Sequence, residues 1–153
     1  MSVAFRRDSD EEHKEPRFEL PLPPGPNLVT QRGYDLIVAR TAELEAAVAS
    51  SASDEKRAEF QRDLRYWRAR LATAQVAPVP TGDAVAFGTR VKLDQGGRTR
   101  ILTIVGHDEA DPASGLIGFA SPLGQALMGA EAGDDVVAPG HGHSMRVISI
   151  EPA

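Results

Sequence analysis

Two apolar stripes mirror each other about a short polar turn, and no other feature constrains the fold of this chain so strongly. Tyr34, Ile37, Thr41, Leu44 and Val48 recur at alternating intervals of three and four residues, and so do Phe60, Leu64, Trp67, Leu71 and Ala74. That spacing is the a/d seam of a coiled coil. Folded back as an antiparallel hairpin, Val48 meets Phe60, Leu44 meets Leu64, Thr41 meets Trp67, Ile37 meets Leu71 and Tyr34 meets Ala74. The smallest forward residue thus faces the largest returning one, as close packing requires. The spacing predicts a helical finger. Thr30 is its N-cap, Ser51-Ala52-Ser53-Asp54 supplies the turn and the second cap, and Pro78 and Pro80 stop the return arm.

Composition narrows the function classes. The 153 residues are 25% charged and 41% hydrophobic, ordinary values for a soluble protein. No apolar run approaches the ~18 residues of a membrane span, and Met1 to Glu19 alternates charges with no secretory core, so no membrane partner is expected. There are no cysteines, which excludes disulfides and thiol chemistry. A net charge of −5 disfavours duplex DNA as the main partner, so sequence-specific DNA binding is not expected. Aromatics at 5% weaken any stacking platform for single strands.

Along the chain, residues 1–28 read as a disordered Pro-rich tail, 29–77 as the coiled-coil hairpin, 78–83 as a linker and 84–153 as a second domain. In the tail, Leu20-Pro21-Leu22-Pro23-Pro24-Gly25-Pro26 favours extended chain and forbids a helix. From Ala84 the apolar period changes to alternation. Val85, Phe87, Val91 and Leu93 predict a strand broken near Gly88, and Gly96-Gly97 turns it into a second strand, Arg100 to Val105. Leu116 to Ala120 is a short strand. Ser121 caps and Pro122 opens a short helix that ends at Gly129. Val136 to Ala138 and Met145 to Ile150 are the last strands. The fold class is α+β: a helical hairpin followed by an antiparallel sheet domain with one short helix.

These residues resemble a known family. Ile104-Val105-Gly106, Glu109-Ala110-Asp111, Gly115-Leu116-Ile117, Ser121-Pro122-Leu123, Ala126-Leu127, Gly129 and Gly133-Asp134 stand in the order and spacing of the C-terminal domain of bacterial Gre factors (GreA/GreB). Val85-Ala86-Phe87-Gly88 matches the start of that domain. Val29-Thr30, Gly33 and Ala74-Gln75-Val76 match the two ends of the family's coiled coil. The resemblance implies an FKBP-like C-terminal fold, a cytoplasmic location, and binding to bacterial RNA polymerase at the β′ rim of the secondary channel, with indirect contact to the RNA 3′ end. It implies no cofactor of the protein's own and no catalytic residue. The polymerase contact would fall on Ala120, Ser121 and Pro122, a corner where the family often carries an acid in place of Ala120.

The chain departs from that family at the finger tip. The usual tip has an aspartate and a glutamate three residues apart, which help hold magnesium in the polymerase's active site. Here the acids at the turn are Asp54 and Glu55, adjacent in sequence and so not on one helix face. Thr30 to Gln75 spans 45 positions (75 − 30), about 20 fewer than in Gre factors, which costs ~15 Å of reach at 1.5 Å per residue. Magnesium needs oxygen ligands at about 2.0–2.1 Å, so an acid that falls short contributes nothing. The resemblance, taken with this shortened finger, therefore implies a polymerase-binding elongation regulator that is not itself an enzyme. A cleavage-stimulating factor with Asp54 and Glu55 as a surrogate tip, and a coiled-coil adaptor for another partner, stand as alternatives.

Other candidates carry less. Lys56, Arg57, Arg62, Arg65, Arg68 and Arg70 line the second arm. Arg62 and Arg65 form a basic finger face toward RNA, or the set is a solvated flank that pairs with Asp35, Glu43 and Glu45. His141-Gly142-His143 lacks the further ligands a metal site needs and reads as a loop; no metal site is expected. His107 reads as a surface residue. A prolyl isomerase would need an aromatic-lined pocket, and after Gly82 the aromatics are Phe87 and Phe119; fold alone does not confer that activity.

Overall fold

Thr30 ends an extended lead-in by accepting the Gly33 amide on Oγ1 at 2.9 Å, and helix α1 (Gln31–Ser50) follows. The computed structural model describes residues 19–140 and 142–153; residues 1–18 of the expected tail, and His141, lie outside the described residues. Helix α2 (Asp54–Thr73) starts in the same way, with Ser53 Oγ accepting the Lys56 amide at 3.1 Å. Each arm has 20 residues, a length of about 30 Å. The expected seam forms. Ile37, Thr41, Leu44 and Leu64 are buried, while Tyr34, Val48, Phe60, Trp67 and Leu71 are half-buried. Among the described residues no third helix packs along the pair, so each knob is covered on one side only. Arg68 reaches across to Glu45 at 3.4 Å, one of the cross-arm pairs the flank reading expects.

The feet of the finger are clamped by a two-stranded parallel sheet, β1 (Leu28–Val29) against β2 (Gln75–Val76). Asn27 and Leu28, placed in the tail by sequence, belong to this clamp. Asn27 is 5% exposed; its amide donates to the Arg70 carbonyl at 2.8 Å, and its side-chain carbonyl accepts from Arg70 Nη2 at 2.7 Å. An isolated Asn gives no periodic signal, so its burial is set by tertiary partners alone.

The second part is a five-stranded sheet in the order β5-β4-β3-β7-β6. Its strands are β3 (Thr89–Gln95), β4 (Arg98–Val105), β5 (Leu116–Gly118), β6 (Asp135–Val137) and β7 (Ser144–Pro152). Gly96 and Gly97 both have positive φ, at 59° and 86°, which is the tight hairpin geometry their pairing predicts. The sheet is antiparallel except where β5 runs parallel to β4. The loop through a 3₁₀ turn (Pro112–Ser114) carries the chain back, so β5 repeats the direction of β4. Val85 and Phe87 are not strand residues. Val85 pairs instead with the segment after helix α3 (Pro122–Leu127), its amide bonding to the Ala130 carbonyl and its carbonyl to the Gly129 amide, both at 2.8 Å. The core lies between the sheet and α3, with Val91, Leu93, Ile104, Leu127, Met145 and Val147 fully enclosed.

Candidate partner-binding site

The corner between β5 and α3 is built on backbone contact. Ser121 Oγ accepts the Gly124 amide at 3.1 Å and donates to the Gly118 carbonyl at 2.7 Å, while Gln125 Nε2 donates to the Phe119 carbonyl at 2.7 Å. A Cβ at Gly124 would stand 2.3 Å from the Gly118 oxygen, so only glycine lets the helix sit this close. The result leaves Ala120 and Pro122 exposed and Ser121 half-buried. Beside them opens a hollow of about 630 Å³, walled by Pro112, Ile117, Phe119, Pro122, Leu123 and Pro139. Among the described residues, Arg100 and His107 are its chargeable lining residues and no carboxylate lines it. Phe119 packs edge to face on Phe87, with centroids 5.4 Å apart. Phe87 lines a separate cleft of about 640 Å³ under the linker, so the two rings are not opposite walls of one proline pocket.

A buried polar joint ties this head to the finger. Arg70 Nε donates to Asp108 Oδ2 at 2.6 Å, with side-chain exposures of 6% and 4%. Tyr66 donates its hydroxyl to the other oxygen of Asp108. Burial, then this bond to a carboxylate, pushes the Tyr66 phenol well above its ordinary range. One residue further on, buried Glu109 accepts from Thr30 Oγ1, the same oxygen that caps α1. Gly33 and Gly106 make the close approach possible: a Cβ would meet Glu109 Oε1 at 2.8 Å in the first case and the Leu28 carbonyl at 2.3 Å in the second.

Along the finger, the acids at the turn stand in the first turn of the second arm, and several arginines find partners other than the first-arm acids. Asp54 and Glu55 are exposed in the first turn of α2, and Arg57 Nη1 holds Asp54 Oδ1 at 2.9 Å. Arg62 pairs with its neighbour Asp63 at 3.1 Å. Arg65 pairs with Glu19 at 2.6 Å rather than with the first arm, and the guanidinium holds the Glu19 carboxyl below its ordinary range. The basic face is thus occupied by intramolecular carboxylates. Arg70 is no solvated flank: it faces the head, and sequence reading missed both it and Asp108. The available signal was the run Asp63, Tyr66, Arg70, a second stripe at helical spacing beside the seam. His107 and His143 are exposed, and Gly142 and His143 lie before β7, in the expected loop. Among the described residues no cluster of three or more His, Cys, Asp or Glu side chains forms, and no helix is long and apolar enough to cross a membrane.

Comparison with known proteins gives this geometry its context. The family profile for "Transcription elongation factor, GreA/GreB, C-term" matches residues 80–152, the whole sheet domain. The transcription elongation factor GreA of Paracoccus denitrificans is 30% identical over 148 residues, covering 80% of this chain and 95% of that protein. The chain belongs to the GreA/GreB family. Within it, the GreA of Desulfovibrio desulfuricans is 43% identical over 89 residues, or 56% of this chain. That match spans 55% of the relative, so the chain aligns with only about half the length of this GreA. The crystal structure of GreA factor homolog 1 (Gfh1) of Thermus thermophilus aligns with 83% of this chain and 99% of that one, at 18% identity and a TM-score of 0.42.

Proposed function

We propose that this GreA/GreB family member is an RNA polymerase-binding elongation regulator that docks at the secondary channel through the Ala120-Ser121-Pro122 corner. The observation that carries this reading is the apolar hollow beside that corner, where the helix seats closely on the end of β5 through Gly124 and Gly118. A hollow of this size takes a few side chains of a partner, and apolar concavities with few polar groups are the usual form of a binding site. The buried Arg70–Asp108 joint supports the second half of the reading, because a finger fixed to its docking head enters a channel at a defined angle.

Finger length argues for regulation over transcript cleavage. Arms of 20 residues are about 30 Å long, and the tip carboxylate of Asp54 is held by Arg57 rather than paired with a second acid for metal. The finger would occupy the channel entrance, alter its traffic or exclude longer relatives, and act without a cofactor of its own. The factor would work in the cytoplasm, where the polymerase is.

Capture of the host's core polymerase by the full chain tests the reading. Wild-type protein is expected to bind, and Pro122→Ala to bind more weakly. Absence of wild-type binding leaves a non-polymerase adaptor as the reading. Backtracked complexes supply the second arm: no stimulated cleavage is expected, and cleavage that disappears in the Asp54→Ala/Glu55→Ala double variant would establish the surrogate tip instead.

A further inference from the structure

The hollow at the corner has one chemical peculiarity. Arg100 lies on β4 in phase with Leu102 and Ile104, both buried, so the strand's alternation carries its stem on the core side of the sheet. It is half-buried and lines an otherwise apolar cavity. Its polar contact is a long one, 3.4 Å to Gln95 Oε1, and among the described residues no carboxylate lies within salt-bridge distance of it. Most other arginines here, at positions 32, 40, 57, 62, 65, 68, 70, 90 and 146, do have such a partner. In a chain of net charge −5, acids are plentiful, yet among the described residues none is placed here. Ala120 lines the same hollow and adds no charge. The second chargeable lining residue, His107, is exposed and brings further N–H donors to the same cavity.

We propose that this hollow is specific for a partner element that inserts an apolar side chain next to a carboxylate, the carboxylate pairing with Arg100. The inference rests on the polymerase reading above and narrows it: the rim that this protein recognises is acidic beside its apolar knob. Arg100 suits that role because its planar fork donates two parallel hydrogen bonds to a carboxylate, and a seated apolar knob would cover the pair from water. A partner with a cation at that position meets an uncompensated guanidinium and is rejected, so the same residue supplies specificity as well as attraction.

Two charge variants of the full-length protein, Arg100→Glu and Arg100→Gln, measured for binding to the host's core polymerase at several salt concentrations, decide the matter. Arg100→Glu is expected to weaken binding by at least tenfold and to flatten its salt dependence. Thermal melts of both variants check that the head is folded, and Arg100→Gln serves as a milder replacement should Arg100→Glu melt early. If wild type binds, Pro122→Ala weakens it, and Arg100→Glu and Arg100→Gln both bind as wild type does, the carboxylate pairing is wrong while the docking corner stands. If wild-type protein captures no polymerase at all, the functional reading and this inference fall together.

Discussion

Arg70 and Asp108 form a buried ion pair, 2.6 Å between Nε and Oδ2, that joins the second arm of the finger to the loop after β4. Asp108 spends its second oxygen on Tyr66, and Arg70 spends Nη2 on Asn27, so four residues from three segments satisfy one another. Among the described residues no buried side-chain polar atom lacks a hydrogen-bond partner. A network with every member satisfied is rigid, and it is costly to break at any one point.

Removing one partner of that pair should therefore be severe. Asp108→Ala leaves a buried guanidinium uncompensated and is expected to destabilise the protein by about 3–5 kcal/mol. Asp108→Asn, which still accepts hydrogen bonds, should cost less. Replacing both partners with apolar residues, Arg70→Met with Asp108→Leu, should recover much of the loss. Urea unfolding of the set tests the order; equal stability of Asp108→Ala and wild type would mean that the joint contributes nothing.

The Tyr66 phenol makes the same joint sensitive to alkali. Its folded value is raised above the ordinary 10.0, first by burial and then by the bond to Asp108. The folded state thus favours the protonated phenol. Its contribution is complete below about pH 10 and is lost as pH rises from there toward the folded value. Melting temperatures taken at pH 8 to 11 should fall less steeply for Tyr66→Phe than for wild type over the upper part of that range. Parallel curves would show that the phenol is not coupled to folding.

Glu19 should report on the strap that the extended segment before Asn27 lays against the second arm, where Arg65 holds it. Arg65 holds its carboxyl below the ordinary value of 4.5, so the contact is present above that value and is lost as pH falls through the lowered one. In an NMR titration, Glu19 should titrate lower in wild type than in Arg65→Met. The pair is exposed, so melting temperature should barely change. An unshifted Glu19 in wild type would mean that the strap does not lie on α2.

At the corner between β5 and α3, Ser121→Ala removes a helix cap and should cost ~0.5–2 kcal/mol. Gly124→Ala forces a Cβ to within 2.3 Å of the Gly118 oxygen, an overpacking expected to cost about 1–3 kcal/mol and to displace α3. If the corner is the docking site, Gly124→Ala should also lose polymerase capture, whereas Ser121→Ala keeps most of it. Solvent exchange of the α3 amides gives the structural readout.

What could be read from the order of residues was local. The caps at Thr30, Ser53 and Ser121, the Gly96-Gly97 turn, the seam of the hairpin and the Ser121-Pro122 helix start all depend on neighbours within a few positions, where backbone geometry limits the choices. Arg70 and Asp108 stand 38 residues apart, and Asn27 stands 43 from Arg70. The stripe Asp63, Tyr66, Arg70 sets Arg70 apart from its neighbours Arg62 and Arg68 but does not name the carboxylate it meets. Only the packed chain decides that Arg70 is buried on a carboxylate while Arg100 half-enters an apolar hollow without one. A charged side chain is read by its dielectric surroundings and its partners, and both are set by how the finger and the head come together.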